Sequence, residues 1–357
     1  MIPLERAILG LAALFVGILP LRAQAGGKPP AHSGSGPAVS ASWRSILAVP
    51  AGQRLVGLAI DQRGAGRSKW AYTADITTGR IIKFGTGGKR IGSWIYGKPS
   101  KSLEPIGLAI GGSGNLFVAD PDAGTVSKFS PRGRSLASWK GFAVPVGVAV
   151  DLSGDVFVAE QDAKRVTELS PSGAVIARWT PGDIYPPGGA SSPTGVVIGP
   201  PNEIYIATAC VVGVTCGPGV PAGAAVSGQI EEGLLELFVG GKERGHLLEM
   251  WFGLPHGGGA HTQPPDKESE PFAVIGAVAG DRHGWLYVAG EVWWRGATPH
   301  MGVLAYTPYG FKWDTLYLPT SVMPTGVAAD GRGAAYVAQG NRILTHLLGK
   351  RPKSPTG

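Results

Sequence analysis

Three histidines, two tryptophans with an arginine, and two cysteines are the residues of this 357-residue chain best equipped for chemistry. His256 and His261 stand in the run HGGGAH, with Asp266, Glu268 and Glu270 behind them, and His300 follows further on. Three imidazoles and a carboxylate form a donor set for a divalent metal such as Zn²⁺ or Ca²⁺. HGGGAH has no recognised ligand spacing, and its glycines preorganise little, so solvated loop imidazoles are the competing reading. Trp293-Trp294-Arg295 offers flat apolar faces beside a guanidinium. Such a group stacks on a sugar ring or a partner's side chain, or folds down as a lid. Cys210 and Cys216 would close a seven-residue ring in an oxidising compartment, at about 2–2.5 kcal/mol of loop-closure entropy. The sequence contains no GxSxG, HExxH or phosphate loop, so those hydrolytic and nucleotide chemistries have no motif to stand on.

The elements holding these residues are written in the composition. With 43% hydrophobic and 16% charged residues the chain can bury a core. Its 57 Gly and 30 Pro argue against helices, because both residues break them. Residues 1–25 read as a signal peptide: Arg6, then the apolar run Ala7–Leu19, then Ala23-Gln24-Ala25. That run makes about 20 Å of helix, short of a ~30 Å hydrocarbon core. A secreted or periplasmic protein is expected, with no membrane span after signal cleavage. Residues 26–40 read as a flexible linker and 349–357 as a disordered tail, leaving 41–348 as the domain. The net charge of +7 is spread over dispersed Lys and Arg. It suits an anionic envelope polymer better than nucleic acid, and no nucleic-acid partner is expected.

Within 41–348 the chain repeats itself. Residues 104–139 carry EPIGLAI, GSG, NLFVAD, TVSKFS, PRG and LASW, and residues 144–179 carry VPVGVAVD, LSG, DVFVAE, KRVTELS, PSG and AVIARW. Four short β-rich runs between Gly-containing turns are four antiparallel strands in meander order. Unit starts fall at Gly57, Gly107, Gly147, Gly195, Ala273 and Gly326. Six such units predict an all-β, six-bladed β-propeller. The last unit has only three strands, and Ala41-Ser42-Trp43 matches Ala137-Ser138-Trp139. The segment Ser40–Val49 is therefore expected to complete the last blade. Recurring residues read as scaffold. Asp61, Asp151 and Asp330 are turn caps. Asp75, Asp120 and Glu160 are expected to bridge to Arg80, Arg165 and Arg342 where these open third strands. Trp94, Trp139, Trp179 and Trp251 are outer-strand packing, with Leu316 replacing Trp in the fifth blade.

The pattern xPxGhAhDxxGxhhVADxxNxRVxxF carried by these units resembles the NHL-repeat family over about residues 41–348. The resemblance implies six four-stranded blades around a central channel. Lyases similar to this family place metal-ligating His where this chain has Gly57, Gly107, Gly147, Gly195 and Gly326, with Ala273 in the remaining slot. Their mechanism therefore does not carry over, and no Asn matches the site of gluconolactonase-like propellers.

Breaks in the repeat are the better guide to function. Residues 180–195, Ala209–Ser227, 253–271 and 290–301 are four oversized connections. Strand alternation sends all four to one end, over blades three to five. That rim, with Trp293, Trp294, Arg295, His256, His261 and His300, is expected to bind an extracellular or envelope protein, a peptide or a carbohydrate, the protein being a monomer. The alternative is a metal-dependent lyase or hydrolase at the same end of the channel.

Overall fold

The computed structural model describes residues 43–63, 70–100, 106–179, 191–199, 203–210, 232–238, 247–252, 272–292, 300–306, 312–331 and 333–348. They form an all-β propeller, with no helix among them. The chain enters through β1 (Arg44–Ala48). Four strands follow, β2 (Leu55–Ile60), β3 (Trp70–Asp75), β4 (Arg80–Gly85) and β5 (Arg90–Ile95). The next sheet is β6 (Leu108–Ile110), β7 (Leu116–Asp120), β8 (Thr125–Phe129) and β9 (Ser135–Lys140). Then come β10 (Pro145–Val150), β11 (Val156–Glu160), β12 (Arg165–Leu169) and β13 (Val175–Trp179). They are followed by β14 (Ser191–Gly199), β15 (Glu203–Cys210), β16 (Glu232–Phe238) and β17 (Leu247–Phe252). After these come β18 (Phe272–Gly280), β19 (Leu286–Val292), β20 (His300–Tyr306) and β21 (Lys312–Tyr317). The chain closes with β22 (Pro324–Ala329), β23 (Ala334–Gln339) and β24 (Arg342–Leu347).

These strands pair into six four-stranded antiparallel sheets. In five the order follows the chain; in the sixth it is β1-β24-β23-β22. The first strands β2, β6, β10, β14, β18 and β22 each neighbour the next, and β22 neighbours β2, so they form a closed cycle.

A repeated pairing builds the core. Each second strand places an aromatic ring opposite a small residue of the first strand: Tyr72 on Ala59, Phe117 on Ala109, Phe157 on Ala149, Tyr205 on Val197, Tyr287 on Ala279 and Tyr336 on Ala328. All six rings are buried. Each contributes roughly 1.5–3 kcal/mol of apolar burial.

The outer strands lock neighbouring sheets. Trp94, Trp139 and Trp179 pair with Ile81, Val126 and Val166. Trp139 stacks on Phe117 at 6.2 Å and Trp179 on Phe157 at 5.7 Å. A Cβ on Gly133 or Gly173 would collide with the indole of Trp94 or Trp139, so the next sheet's hairpin rests on each ring. Leu316, opposite Val303, fills this slot in the fifth sheet as expected.

Two alignments need correcting. In the last sheet the outer-strand slot belongs to Leu47, which pairs with Ile343, and not to Trp43. Trp43 precedes β1, donates from Nε1 to the Tyr317 carbonyl at 2.9 Å and meets the His346 ring at a tilt, 5.1 Å between centroids. The three-residue match Ala-Ser-Trp was out of register by four. In the fifth sheet the slot expected at Ala273 is held by Ala277, which faces Ala289 as Gly147 faces Ala159. Strand β18 has nine residues and two register shifts, which carry the slot four residues beyond the place the repeat spacing indicates.

Candidate functional site

The first strands leave a central channel with a cavity of about 480 Å³. At one end its bore is ringed by Gly57, Gly107, Gly147, Gly195, Ala277 and Gly326. These positions bring backbone against backbone. A Cβ on Gly107 would stand 2.7 Å from Gly147 Cα, one on Gly147 3.0 Å from Gly195 Cα, and one on Gly326 2.6 Å from the Gly57 carbonyl carbon. One on Gly57 would meet the Ile106 carbonyl oxygen. At Gly57, Gly107, Gly147 and Gly326 a side chain would have to push a neighbouring backbone away, at Gly195 it would meet the Val278 side chain, and only Ala277 carries a Cβ. Five of the six positions are glycine, and the sixth, Ala277, carries the smallest side chain.

The opposite mouth is polar. Arg63 donates from Nε and Nη2 to the two carboxylate oxygens of Asp61 at 2.8 and 2.7 Å. Burial pushes the Asp61 carboxyl up, but the Arg63 bonds outweigh it and leave its pKa lowered. Burial, helped by the Asp61 charge, pushes the Tyr72 hydroxyl up to about 12. Gln62 donates from Nε2 to the Gly280 carbonyl at 3.1 Å and accepts from the Arg282 backbone N–H at 2.6 Å. This joins the sheet of β2 to the sheet of β18, past the intervening sheet of β22. Gln62 had no signal in the repeat, since its partners lie more than two hundred residues away.

The recurrent acids of this mouth cap turns. Oδ1 of Asp151 accepts the Asp155 N–H at 2.9 Å, and Oδ1 of Asp330 accepts the Ala334 N–H at 3.0 Å. Asp281 accepts the N–H groups of His283 and Trp285, and its Oδ2 accepts the Tyr287 hydroxyl at 3.3 Å. The buried Oδ2 of Asp151 has no hydrogen-bond partner among the described residues. The register of Tyr287 is held there by Phe157, which lacks a hydroxyl. Of the expected carboxylate–arginine bridges, Glu160–Arg165 forms at 2.7 Å. Asp75 instead accepts from Thr77 and Thr78, while Arg80 reaches Ser93.

The rim residues singled out by the sequence divide. Trp293, Trp294, Arg295, His256, His261 and Cys216 lie outside the described residues, as do Asp266, Glu268 and Glu270. Cys210 ends β15, but its side chain also lies outside them. His300 opens β20, is half-buried and meets Tyr317 edge-on at 5.8 Å. The anchor points of the long connections can be followed through pairing. Ser191 pairs with Cys210, and Cys210 with Glu232. Phe272 pairs with Val292, and Val292 with His300. The residues flanking 211–231 and 293–299, and those that follow 180–190 and 253–271, thus share one end of their sheets.

No family model matches the chain, and no curated protein matches its sequence. Solved structures do. A streptogramin B lyase is 12% identical, over 85% of this chain and 96% of that one, with a TM-score of 0.51. Virginiamycin B lyase from Staphylococcus aureus is 13% identical, over 86% and 99%, with a TM-score of 0.51. The WD40 repeats of RRP9 are 12% identical, over 87% and 98%, with a TM-score of 0.54. The shared feature is the propeller. At this identity the likeness establishes fold and nothing about activity.

Proposed function

We propose that this chain is a six-bladed propeller of the NHL type, secreted or periplasmic, whose rim over the third to fifth blades binds a protein, peptide or carbohydrate of the envelope. One observation carries the reading: the flanks of the oversized connections share one end of adjacent sheets. Long connections held by a rigid scaffold are where binding residues concentrate. Trp293, Trp294 and Arg295 supply the anchors of such a contact. The six sheets and the closed cycle of first strands support the blade count.

The test is capture from the native envelope by the full chain and by the variant Trp293→Ala/Trp294→Ala. The reading expects a partner retained by the first and lost at least tenfold by the second. Equal capture by both would overturn it. His300 opens a strand at the same end, which supports a second reading with a divalent metal held by His256, His261 and His300. Stoichiometric Zn²⁺ or Ca²⁺ in the purified protein, lost in His256→Ala/His261→Ala, would favour a lyase or hydrolase instead.

A further inference from the structure

The outer walls of the first three blades have a composition that the propeller itself does not require. Strands β5, β9 and β13 are the free edges of their sheets. They expose Ile91 (52%), Ile95 (65%), Leu136 (40%), Val175 (47%) and Ile176 (50%). Ile91, Leu136 and Ile176 hold the same place, three residues before the packing tryptophan of each strand. Exposed cations alternate with them: Lys89, Arg90 and Lys98 on the first blade, Arg132, Arg134 and Lys140 on the second, Arg178 on the third. Residues 83–100, 127–142 and 169–179 contain no Asp or Glu. Among the described residues, the exposed acids of these blades, Asp122 and Asp162, sit in turns between second and third strands.

The three walls are continuous. The hairpin carrying Arg132 and Arg134 rests on the Trp94 ring of the blade before it, and Lys83 Nζ donates to the Pro131 carbonyl at 2.9 Å. The hairpin around Gly173 rests in the same way on Trp139. One band therefore runs around the side of the ring, apart from the rim over the third to fifth blades.

Cations on an edge strand are an ordinary guard against strand-to-strand aggregation. That guard does not call for aliphatic side chains standing in water beside them, where exposure costs free energy. A polyanion would use the cations and leave the aliphatics wet, and a nucleic acid would ask for exposed aromatic rings to stack on. A surface that offers phosphates and, just below them, hydrocarbon matches both halves of the band.

We infer that the band on blades one to three docks this protein on an anionic phospholipid surface, the wall of the second blade facing the membrane with Arg134 on the phosphates and Leu136 between the headgroups, and Arg90, Ile91, Ile176 and Arg178 meeting the headgroups from the walls that slope away on either side. The proposal is independent of what the rim binds.

The experiment is flotation of the full chain with phosphatidylcholine vesicles, with and without about 30% phosphatidylglycerol, at about 0.05 and 0.5 M NaCl. All six positions are exposed, and unchanged thermal melting confirms that the variants fold. The wild type is expected to partition at least tenfold more strongly onto the anionic vesicles, less so at high salt. Arg90→Glu/Arg134→Glu/Arg178→Glu should lose that preference about a hundredfold, since each basic residue near such a surface counts for roughly a factor of five. Ile91→Ser/Leu136→Ser/Ile176→Ser should lose about tenfold or more at high salt. The uncleaved apolar stretch Ala7–Leu19 is common to all variants and cancels in the comparison. If neither triple variant changes the partition, the proposal is overturned. It is also overturned if the charge variant fails while the aliphatic variant binds normally and soluble polyphosphate competes fully, since the ligand would then be a polyanion in solution.

Discussion

Glu160 is a fully buried carboxylate that accepts four hydrogen bonds, two from Arg165, one from the Thr167 hydroxyl and one from the Ala143 backbone. Burial alone would push its pKa up, but the Arg165 and Thr167 donors outweigh it and hold it below the usual range. The folded state therefore favours the ionised form. Its contribution is present above the unfolded carboxylate value of about 4.3 and is lost as pH falls toward the lower folded value. Glu160→Gln keeps the shape and removes the charge, leaving the Arg165 guanidinium uncompensated. Denaturant melts should show a loss of about 2–4 kcal/mol at pH 7. The gap between variant and wild type should close as both are taken to about pH 3. A gap that stays constant with pH would mean that packing, not charge, holds this corner. The pairing of Glu160 with Arg165 was readable from their positions at facing strand ends. The failure of Asp75 to take Arg80 was not, because the threonines of its own turn compete at shorter reach.

At the scale of strands, β1 completes a sheet begun about three hundred residues later. Val49 and Asn341 strengthen the junction in both directions, the Val49 N–H donating to the Asn341 carbonyl and the Asn341 side-chain amide to the Val49 carbonyl. Deleting residues 26–50 opens the edge of β24 and uncovers Ile343 and Leu344. The melting temperature should fall by about 10 °C or more; an unchanged melt would show that β1 is ornamental. The strand itself was legible in the sequence, because the last repeat was one strand short. Its register was not. Ala41-Ser42-Trp43 copies a neighbouring blade by type, while pairing is decided by the hydrophobic face, which puts Leu47 opposite Ile343. The shift of the fifth glycine slot from Ala273 to Ala277 has a similar cause, since register breaks in β18 add residues that no period reveals. The chemistry-bearing residues of the rim sit in or beside the oversized connections, where periodicity says which end they leave from and nothing about how they converge.

At the scale of the whole ring, the glycine girdle sets how tightly six sheets close. Gly57, Gly107, Gly147 and Gly326 touch the neighbouring sheet through backbone, so the bore at that end is a property of the ring and not of any one blade. Gly147→His tests this directly, by placing a lyase-type ligand where Cβ alone would stand 3.0 Å from the Gly195 Cα. Overpacking of this kind should cost about 2–4 kcal/mol in chemical denaturation, with no gain in Zn²⁺ affinity. Normal stability with new metal binding would show that the ring can widen, and would reopen the lyase mechanism.

The strand that seals the last sheet leaves the ribosome among the first folded residues, and its partner leaves among the last. Through nearly all of synthesis β1 has nothing to pair with, and afterwards the growing arc carries a bare edge at each extremity. Such edges invite pairing between chains. Closure by β1 and β24 therefore waits until the last sheet has been made, and the lag before it is the interval in which neighbouring chains can join edge to edge.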